Sequence, residues 1–122
     1  MTISAVHHVQ ITIPHGEEER ARAFYCVLLG LEEVPKPESL RRRGGFWLQL
    51  GNAQVHVGCE GEVDRHQTKA HVAYQVSDLQ ALRERLRGAG VAITESVPIP
   101  GASRLEVRDP FGNRVEFIEP VS

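Results

Sequence analysis

The strongest constraint on the fold of this chain is an internal repeat that divides its 122 residues into two similar halves. Near the start of each half, His8-Val9 corresponds to His71-Val72. Near the end, Val55-His56-Val57 corresponds to Val115-Glu116-Phe117, which lies 60 residues further on. Repeated modules share one topology, so the repeat constrains the architecture more firmly than the prediction of any single element.

Hydrophobic periodicity predicts the same order of elements in both halves: strand, helix, strand, strand and strand. Alternation of apolar and polar residues marks the strands, and an apolar stripe marks each helix. In the first half the predicted elements are a strand at 6–13, a helix at 17–29 and strands at 31–34, 46–50 and 54–57. In the second half they are a strand at 70–76, a helix capped by Ser77, a short strand at 91–93 and a hairpin at 104–118.

These elements predict an α+β fold built from two βαβββ modules. The modules are expected to form curved mixed sheets around a shared cavity, with the helices on the outer face. The first module spans about residues 3–58, a polar linker covers 59–69, and the second module spans about 70–120. Residues 1–122 are then expected to form one domain, because a chain of this length can bury a core.

Composition excludes several classes of partner. The net charge of −2 gives no reason to expect nucleic acid or an anionic membrane surface. No stretch is long and apolar enough to span a bilayer, and the N-terminal residues lack the pattern of a signal peptide. A cytoplasmic location is therefore predicted, with Cys26 and Cys59 as reduced thiols.

Four side chains with metal-binding chemistry occupy equivalent positions in the two modules. His8 and His71 begin the first strand of each module, and His56 and Glu116 occupy the same place on the last strand. Their neighbours are apolar and are expected to face the helices, so these four side chains are predicted to face the cavity. Three imidazoles and one carboxylate suit a divalent ion such as Zn, Ni, Co or Fe. The repeat therefore predicts one such ion, bound by His8, His56, His71 and Glu116.

Other residues are assigned from the same alternation. Four of them share the inward phase and are predicted to line the substrate cavity: Gln10, Trp47, Gln49 and Arg114. His7 is one residue out of phase and is expected to face the helices as a structural residue. The run at 41–43 is predicted to be a solvated part of a loop, with recruitment of an anionic substrate as the alternative.

Four groups of residues carry a family resemblance: Val6-His7-His8-Val9, Ala23-Phe24-Tyr25 with Leu28-Leu29-Gly30-Leu31, Ala70-His71-Val72-Ala73, and Asp109-Pro110-Phe111-Gly112-Asn113 with Val115-Glu116-Phe117. On these motifs nearly the whole chain resembles the vicinal oxygen chelate superfamily. That superfamily includes glyoxalase I, extradiol dioxygenases, methylmalonyl-CoA epimerase, and the fosfomycin and bleomycin resistance proteins. Carried over by position, the resemblance implies that His8, His71 and Glu116 are metal ligands. It places His56 where glyoxalase I carries a glutamate.

The resemblance implies a metal-dependent enzyme of the glyoxalase type, which binds a small molecule through vicinal oxygens on a divalent metal. Proton transfer with Glu116 as the base is the expected chemistry. One alternative is an Fe(II)-dependent dioxygenase that cleaves a catechol, since two His and one carboxylate would satisfy it. Another is a non-catalytic protein that sequesters an antibiotic, as the bleomycin-binding relatives do without metal. A homodimer is predicted because the module pattern leaves sheet edges unassigned. The cavity is then expected either inside one chain or, by exchange of modules, between two chains.

Overall fold

The computed structural model describes residues 2–121. The first of its two units, Met1–Val63, contains a four-stranded mixed sheet. The strands are β1 (His8–Ile13), β2 (Glu32–Val34), β3 (Phe46–Leu50) and β4 (Ala53–Cys59). Helix α1 (Glu18–Arg22) continues into a π-helical segment at Ala23–Leu28, and a 3₁₀ helix covers Glu38–Arg43. The strand order is β1-β4-β3-β2, with β1 parallel to β4 and the other pairs antiparallel.

The second unit, Asp64–Ser122, repeats this arrangement. It contains β5 (His71–Gln75), β6 (Thr94–Glu95), β7 (Ala102–Arg108) and β8 (Arg114–Pro120), together with α2 (Leu79–Gly88) and a 3₁₀ turn at Arg65–Gln67. The strand order is β5-β8-β7-β6, and β5 is parallel to β8. Because the two orders are equivalent, the predicted α+β fold of two βαβββ modules is confirmed. The assignment of all residues to one domain stays a prediction.

The last strand of each unit lies in the centre of its sheet, and its apolar residues form part of the core. Val55 and Val57 on β4, like Val115 and Phe117 on β8, are at most 3% exposed. Alternation then places the residue between each pair, His56 or Glu116, on the opposite face of the sheet. No helix among residues 2–121 is long and apolar enough to cross a bilayer.

The helix predicted at 17–29 forms, with an α-helical part at Glu18–Arg22 and a π-helical part at Ala23–Leu28, where the N–H of Leu29 donates to the carbonyl of Phe24. Two local predictions were wrong. The strand predicted at 91–93 does not form, because the N–H of Val91 donates to the carbonyl of Leu86 and closes the end of α2. Asp78 rather than Ser77 caps that helix, since its Oδ1 accepts from the Ala81 N–H over 3.0 Å.

The turn between β7 and β8 is organised by the buried carboxylate of Asp109. Its Oδ1 accepts from the backbone N–H groups of Phe111 and Asn113, each over 2.9 Å. Its Oδ2 accepts from the Asn113 side chain over 2.8 Å. Gly112 has φ of +102°, which a residue with a side chain rarely adopts. This geometry confirms the turn that the Asp-Pro-Phe-Gly-Asn motif predicts, and it positions the start of β8.

A prediction follows from Gly45, where two backbone segments approach closely. Its φ is +78°, and a Cβ at this position would lie 2.0 Å from the carbonyl oxygen of Val57. Gly45→Ala is expected to lower the free energy of unfolding by about 3 kcal/mol or more, because β4 must move in addition to the backbone strain. Gly51→Ala is the matched control: φ is +58°, but no atom lies within 4 Å of the added Cβ. Urea unfolding would measure both, and equal losses would contradict the close approach.

Candidate functional site

Three aromatic rings stack in the first unit, on the face of the sheet opposite Val55 and Val57. The His56 ring is in the middle, with its centroid 4.1 Å from that of His8 and 3.9 Å from that of Trp47. The corresponding interplanar angles are 16° and 0°. Strand register places Trp47 on β3 directly opposite His56. On β1, His8 pairs with Gln54, two residues before His56, so its ring reaches the other face of the His56 ring diagonally.

A chain of hydrogen bonds fixes the orientation of the His56 ring. The side-chain Nε2 of Gln49 donates to the backbone oxygens of Gly51 (2.8 Å) and Ala53 (3.2 Å). Because these backbone oxygens can only accept, the Gln49 atom that contacts them must be its NH₂ group. The other amide atom, Gln49 Oε1, therefore accepts from Gln54 Nε2 over 3.0 Å. Gln54 Oε1 then accepts from His56 Nε2 over 2.8 Å. In the neutral His56 ring, Nε2 therefore carries the proton and Nδ1 carries the lone pair.

The surroundings of His56 favour this neutral ring. The residue is only 6% exposed. Burial is the main cause that lowers its pKa below the ordinary value of 6.5, and electrostatic repulsion from the neighbouring basic groups of His8, His7 and Lys36 lowers it further. His56 is thus an uncharged hydrogen-bond donor at neutral pH, held between two other rings.

A cleft of about 470 Å³ opens beside the stack, within the first unit. Its lining includes four aromatic rings and two cationic side chains: His7, His8, Trp47, His56, Lys36 and Arg43. Lys36 Nζ donates to the carbonyl oxygen of Gly44 over 2.6 Å, which anchors one ammonium group at the cleft. Gln10 also lines the cleft, and Gln49 takes part in the hydrogen-bond chain.

The prediction that His7 faces the helices is wrong. His7 is exposed and lines the cleft, and its Nδ1 lies 3.0 Å from that of His8. The strand begins only at His8, so the alternation that was extended to residue 7 does not apply there. Arg43 was grouped with the solvated residues 41–43, but it also lines the cleft.

In the second unit, His71 and Glu116 lie close together. His71 Nε2 is 3.4 Å from Glu116 Oε1. His71 Nδ1 is 2.9 Å from the carbonyl oxygen of Lys69, which only accepts, so the neutral ring carries its proton on Nδ1 and its lone pair on Nε2. Two ligands of a tetrahedral zinc ion lie roughly 3.3 Å apart when both bonds are about 2.0–2.1 Å long. His71 and Glu116 thus have the spacing of two ligands of one metal ion.

Arg104 is a member of this cluster that the sequence reasoning missed. Its Nη1 is 3.5 Å from the same Glu116 Oε1 atom. Its Nε and Nη2 donate to the carbonyl oxygen of Val97 over 3.1 and 2.7 Å, which fixes the guanidinium beside the carboxylate. Alternation could have identified it, because its neighbour Leu105 is fully buried on the other face of β7.

Arg114, which was predicted to line the cavity, forms an ion pair with Glu106. Glu106 lies directly opposite Glu116 in the antiparallel pair of β7 and β8. Carboxylates placed opposite each other repel. The repulsion is offset because Arg114 neutralises one carboxylate and Arg104 neutralises the other.

The four predicted metal ligands lie in two pairs, one in each unit. Within residues 2–121, no group of three or more His, Cys, Asp or Glu side chains is placed to hold a metal ion. A metal ion binds an imidazole close to the ring plane, where the nitrogen lone pair lies. The stacked rings of His8 and His56 are nearly parallel, so one ion cannot lie in both planes. Only one of these two imidazoles can therefore bind a particular ion. His8 is the better placed, because it is exposed whereas His56 is buried.

Comparison with known proteins identifies the family. The chain matches the Glyoxalase/Bleomycin resistance protein/Dioxygenase superfamily over residues 5–117 and belongs to it. A protein from Bacillus anthracis that is assigned to the glyoxalase family has 40% sequence identity, with 98% of each chain covered and a TM-score of 0.92. No curated protein sequence matches the chain significantly.

Two more distant structures share the fold. A lactoylglutathione lyase from Agrobacterium tumefaciens is 20% identical, with a TM-score of 0.75 and coverage of 98% of this chain and 96% of that one. The antibiotic-binding protein TnmS3 from Streptomyces sp. CB03234 is 20% identical, with a TM-score of 0.71 and 98% coverage of both chains. At this identity the likeness shows the fold alone.

The hydrogen-bond chain predicts the tautomer of His56. Two-bond ¹H–¹⁵N correlation spectra near neutral pH should show a neutral ring with its proton on Nε2, and the ring should titrate below the ordinary value of 6.5. Gln54→Leu removes the acceptor and is expected to abolish the preference for this tautomer. Gln75→Leu, an exposed residue on β5, should leave the His56 signals unchanged. A proton on Nδ1 in the wild-type protein would contradict the assignment.

Proposed function

We propose that this protein is a metal-dependent enzyme of the glyoxalase type, in which His8, His71 and Glu116 hold one divalent ion. The observation that carries the proposal is the 3.4 Å separation of His71 Nε2 and Glu116 Oε1, with the lone pair of Nε2 set by Lys69. His8 joins the set because the repeat gives it the position of His71. The motif resemblance to the superfamily, whose model matches residues 5–117, implies the same three ligands.

The roles of the residues follow from their contacts. When bound, a divalent ion would polarise the oxygen atoms of a substrate as a Lewis acid. Glu116 is the one carboxylate in the predicted ligand set, so it is the group that accepts a proton from a carbon next to a carbonyl. Arg104, anchored on Val97, holds the Oε1 atom of this carboxylate in place. In this proposal His56, which was predicted as a fourth ligand, does not bind the ion and packs against the His8 ring.

Ring cleavage of a catechol is the second candidate function. Two imidazoles and one carboxylate with open coordination positions are the ligand set of non-haem Fe(II) oxygenases. The three-ligand assignment therefore favours this chemistry when the native metal is iron, and proton transfer when it is zinc, nickel or cobalt. Sequestration of an antibiotic, the third possibility that the sequence leaves open, requires no metal ligands.

Metal titration tests the ligand set. Protein without an affinity tag, stripped by a chelator and titrated with zinc in a calorimeter, should bind about one ion per chain. His71→Ala and Glu116→Gln are each expected to weaken binding by 100-fold or more, because a bond to the metal is lost. Even the loss of a group that only hydrogen-bonds to a ligand costs roughly 10–100-fold in metal affinity.

The exposed residues His15 and Glu84 provide matched controls. His15→Ala and Glu84→Gln should bind zinc like the wild type. Zinc affinity that stays unchanged in both His71→Ala and Glu116→Gln would refute the proposed site. Far-UV circular dichroism of each variant separates loss of the site from loss of the fold.

The proposal also covers the size of the substrate, the location of the protein and its oligomeric state. The substrate is a small molecule, in keeping with the size of the cleft. The cytoplasmic location stays a prediction from the sequence.

The homodimer is supported by β1 and β5, which are edge strands of their sheets, since an unpaired edge favours association with a second chain. Sedimentation of the purified chain at micromolar concentration tests the dimer.

A further inference from the structure

The cleft of the first unit combines stacked rings with positive charge. None of its twelve lining residues is an Asp or Glu, whereas Lys36 and Arg43 are both cationic. The carboxylate of Glu18 accepts from the backbone N–H of Gly45 over 3.2 Å, and Glu18 is not among the lining residues. The potential inside the cleft is therefore positive, and it favours an anion over a cation or a neutral molecule.

The ring stack selects the shape of the guest. Both faces of His56 are covered, one by His8 and the other by Trp47. His8 and Trp47, the two end rings of the stack, both line the cleft, so a planar ring placed in it meets one of them; the His7 ring contacts His8 edge-on, with the centroids 5.2 Å apart. Offset stacking on such rings contributes roughly 0.5–1.5 kcal/mol beyond the burial of apolar area. An inorganic anion would use the cations but would leave this surface uncovered.

We propose that this cleft binds a planar aromatic anion, such as an aromatic carboxylate, with its ring on the His8–His56–Trp47 stack and its charge against Lys36 and Arg43. This inference deepens the proposed function, because it names the chemical class of the ligand. It rests on the proposed function in one respect, which is that this face of the sheet is taken as the substrate site. The residues that recognise the ligand all belong to the first unit. Binding through them does not require a metal ion.

Trp47 makes the test direct, because it is the single tryptophan of the chain and lines the cleft. 4-Nitrobenzoate is a suitable probe, since its nitroaromatic ring quenches tryptophan fluorescence on contact. It should quench Trp47 in a saturable way in chelator-treated protein. Cyclohexanecarboxylate, which has the charge without the flat ring, and 4-nitrobenzamide, which has the ring without the charge, should each bind roughly tenfold more weakly by calorimetry.

The two cations are tested against a matched neighbour. Arg43→Met and Lys36→Met are each expected to weaken 4-nitrobenzoate binding about tenfold, the effect of losing one charged hydrogen bond, and to leave 4-nitrobenzamide binding unchanged. Arg41 belongs to the same 3₁₀ helix but pairs with Glu38 over 3.0 Å and does not line the cleft. Arg41→Met should therefore bind like the wild type. The Arg43 side chain is exposed, so Arg43→Met should fold normally even if Lys36→Met does not.

The same titrations on zinc-loaded protein separate this inference from the metal site. Saturable binding in the chelator-treated protein with the expected Arg43 dependence supports the inference, whether or not zinc binds to His71 and Glu116. Binding that occurs only with zinc and is unaffected by Arg43→Met and Lys36→Met would make the carboxylate a metal ligand and overturn the inference. So would the absence of binding in both forms, or equal affinity for cyclohexanecarboxylate.

Discussion

The site depends on the position of the last strand of each unit. Strands β4 and β8 lie in the centre of their sheets, where each is hydrogen-bonded to a parallel neighbour and an antiparallel one. Burial of Val55 and Val57, or of Val115 and Phe117, fixes the register, because a slip of one residue would turn these side chains out of the core. The residue between each pair must then lie on the other face. The apolar core thus holds His56 and Glu116 in place.

The two units use this shared frame differently. In the first, the central residue is a neutral imidazole that is stacked between two rings and bonded to Gln54. In the second, it is a carboxylate that faces one imidazole and one guanidinium, His71 and Arg104. The first unit therefore combines stacked rings with the cations Lys36 and Arg43 at its cleft, and the second places an imidazole next to a carboxylate.

Sequence reasoning recovered the features that follow from alternation and from the repeat. The sheet order, the turn at Asp109 and the face occupied by His56 and Glu116 depend on local patterns that both copies share. It did not recover features set by side-chain contacts. The stack of His56 on Trp47, the tautomer fixed through Gln49 and the anchoring of Arg104 on Val97 each need the register of neighbouring strands. The π-helical turns at Ala23–Leu28 also escaped, because a widened turn changes the period on which the helix prediction relies.

The central claim is that His8, His71 and Glu116 hold one divalent ion while His56 does not bind it. X-ray absorption spectroscopy of the zinc-loaded protein measures this directly, since scattering from imidazole rings gives the number of His ligands. The account predicts two imidazoles and oxygen ligands at about 2.0–2.2 Å, with the imidazole count unchanged in His56→Gln and reduced to one in His71→Ala. A count of three imidazoles that falls to two in His56→Gln would contradict it.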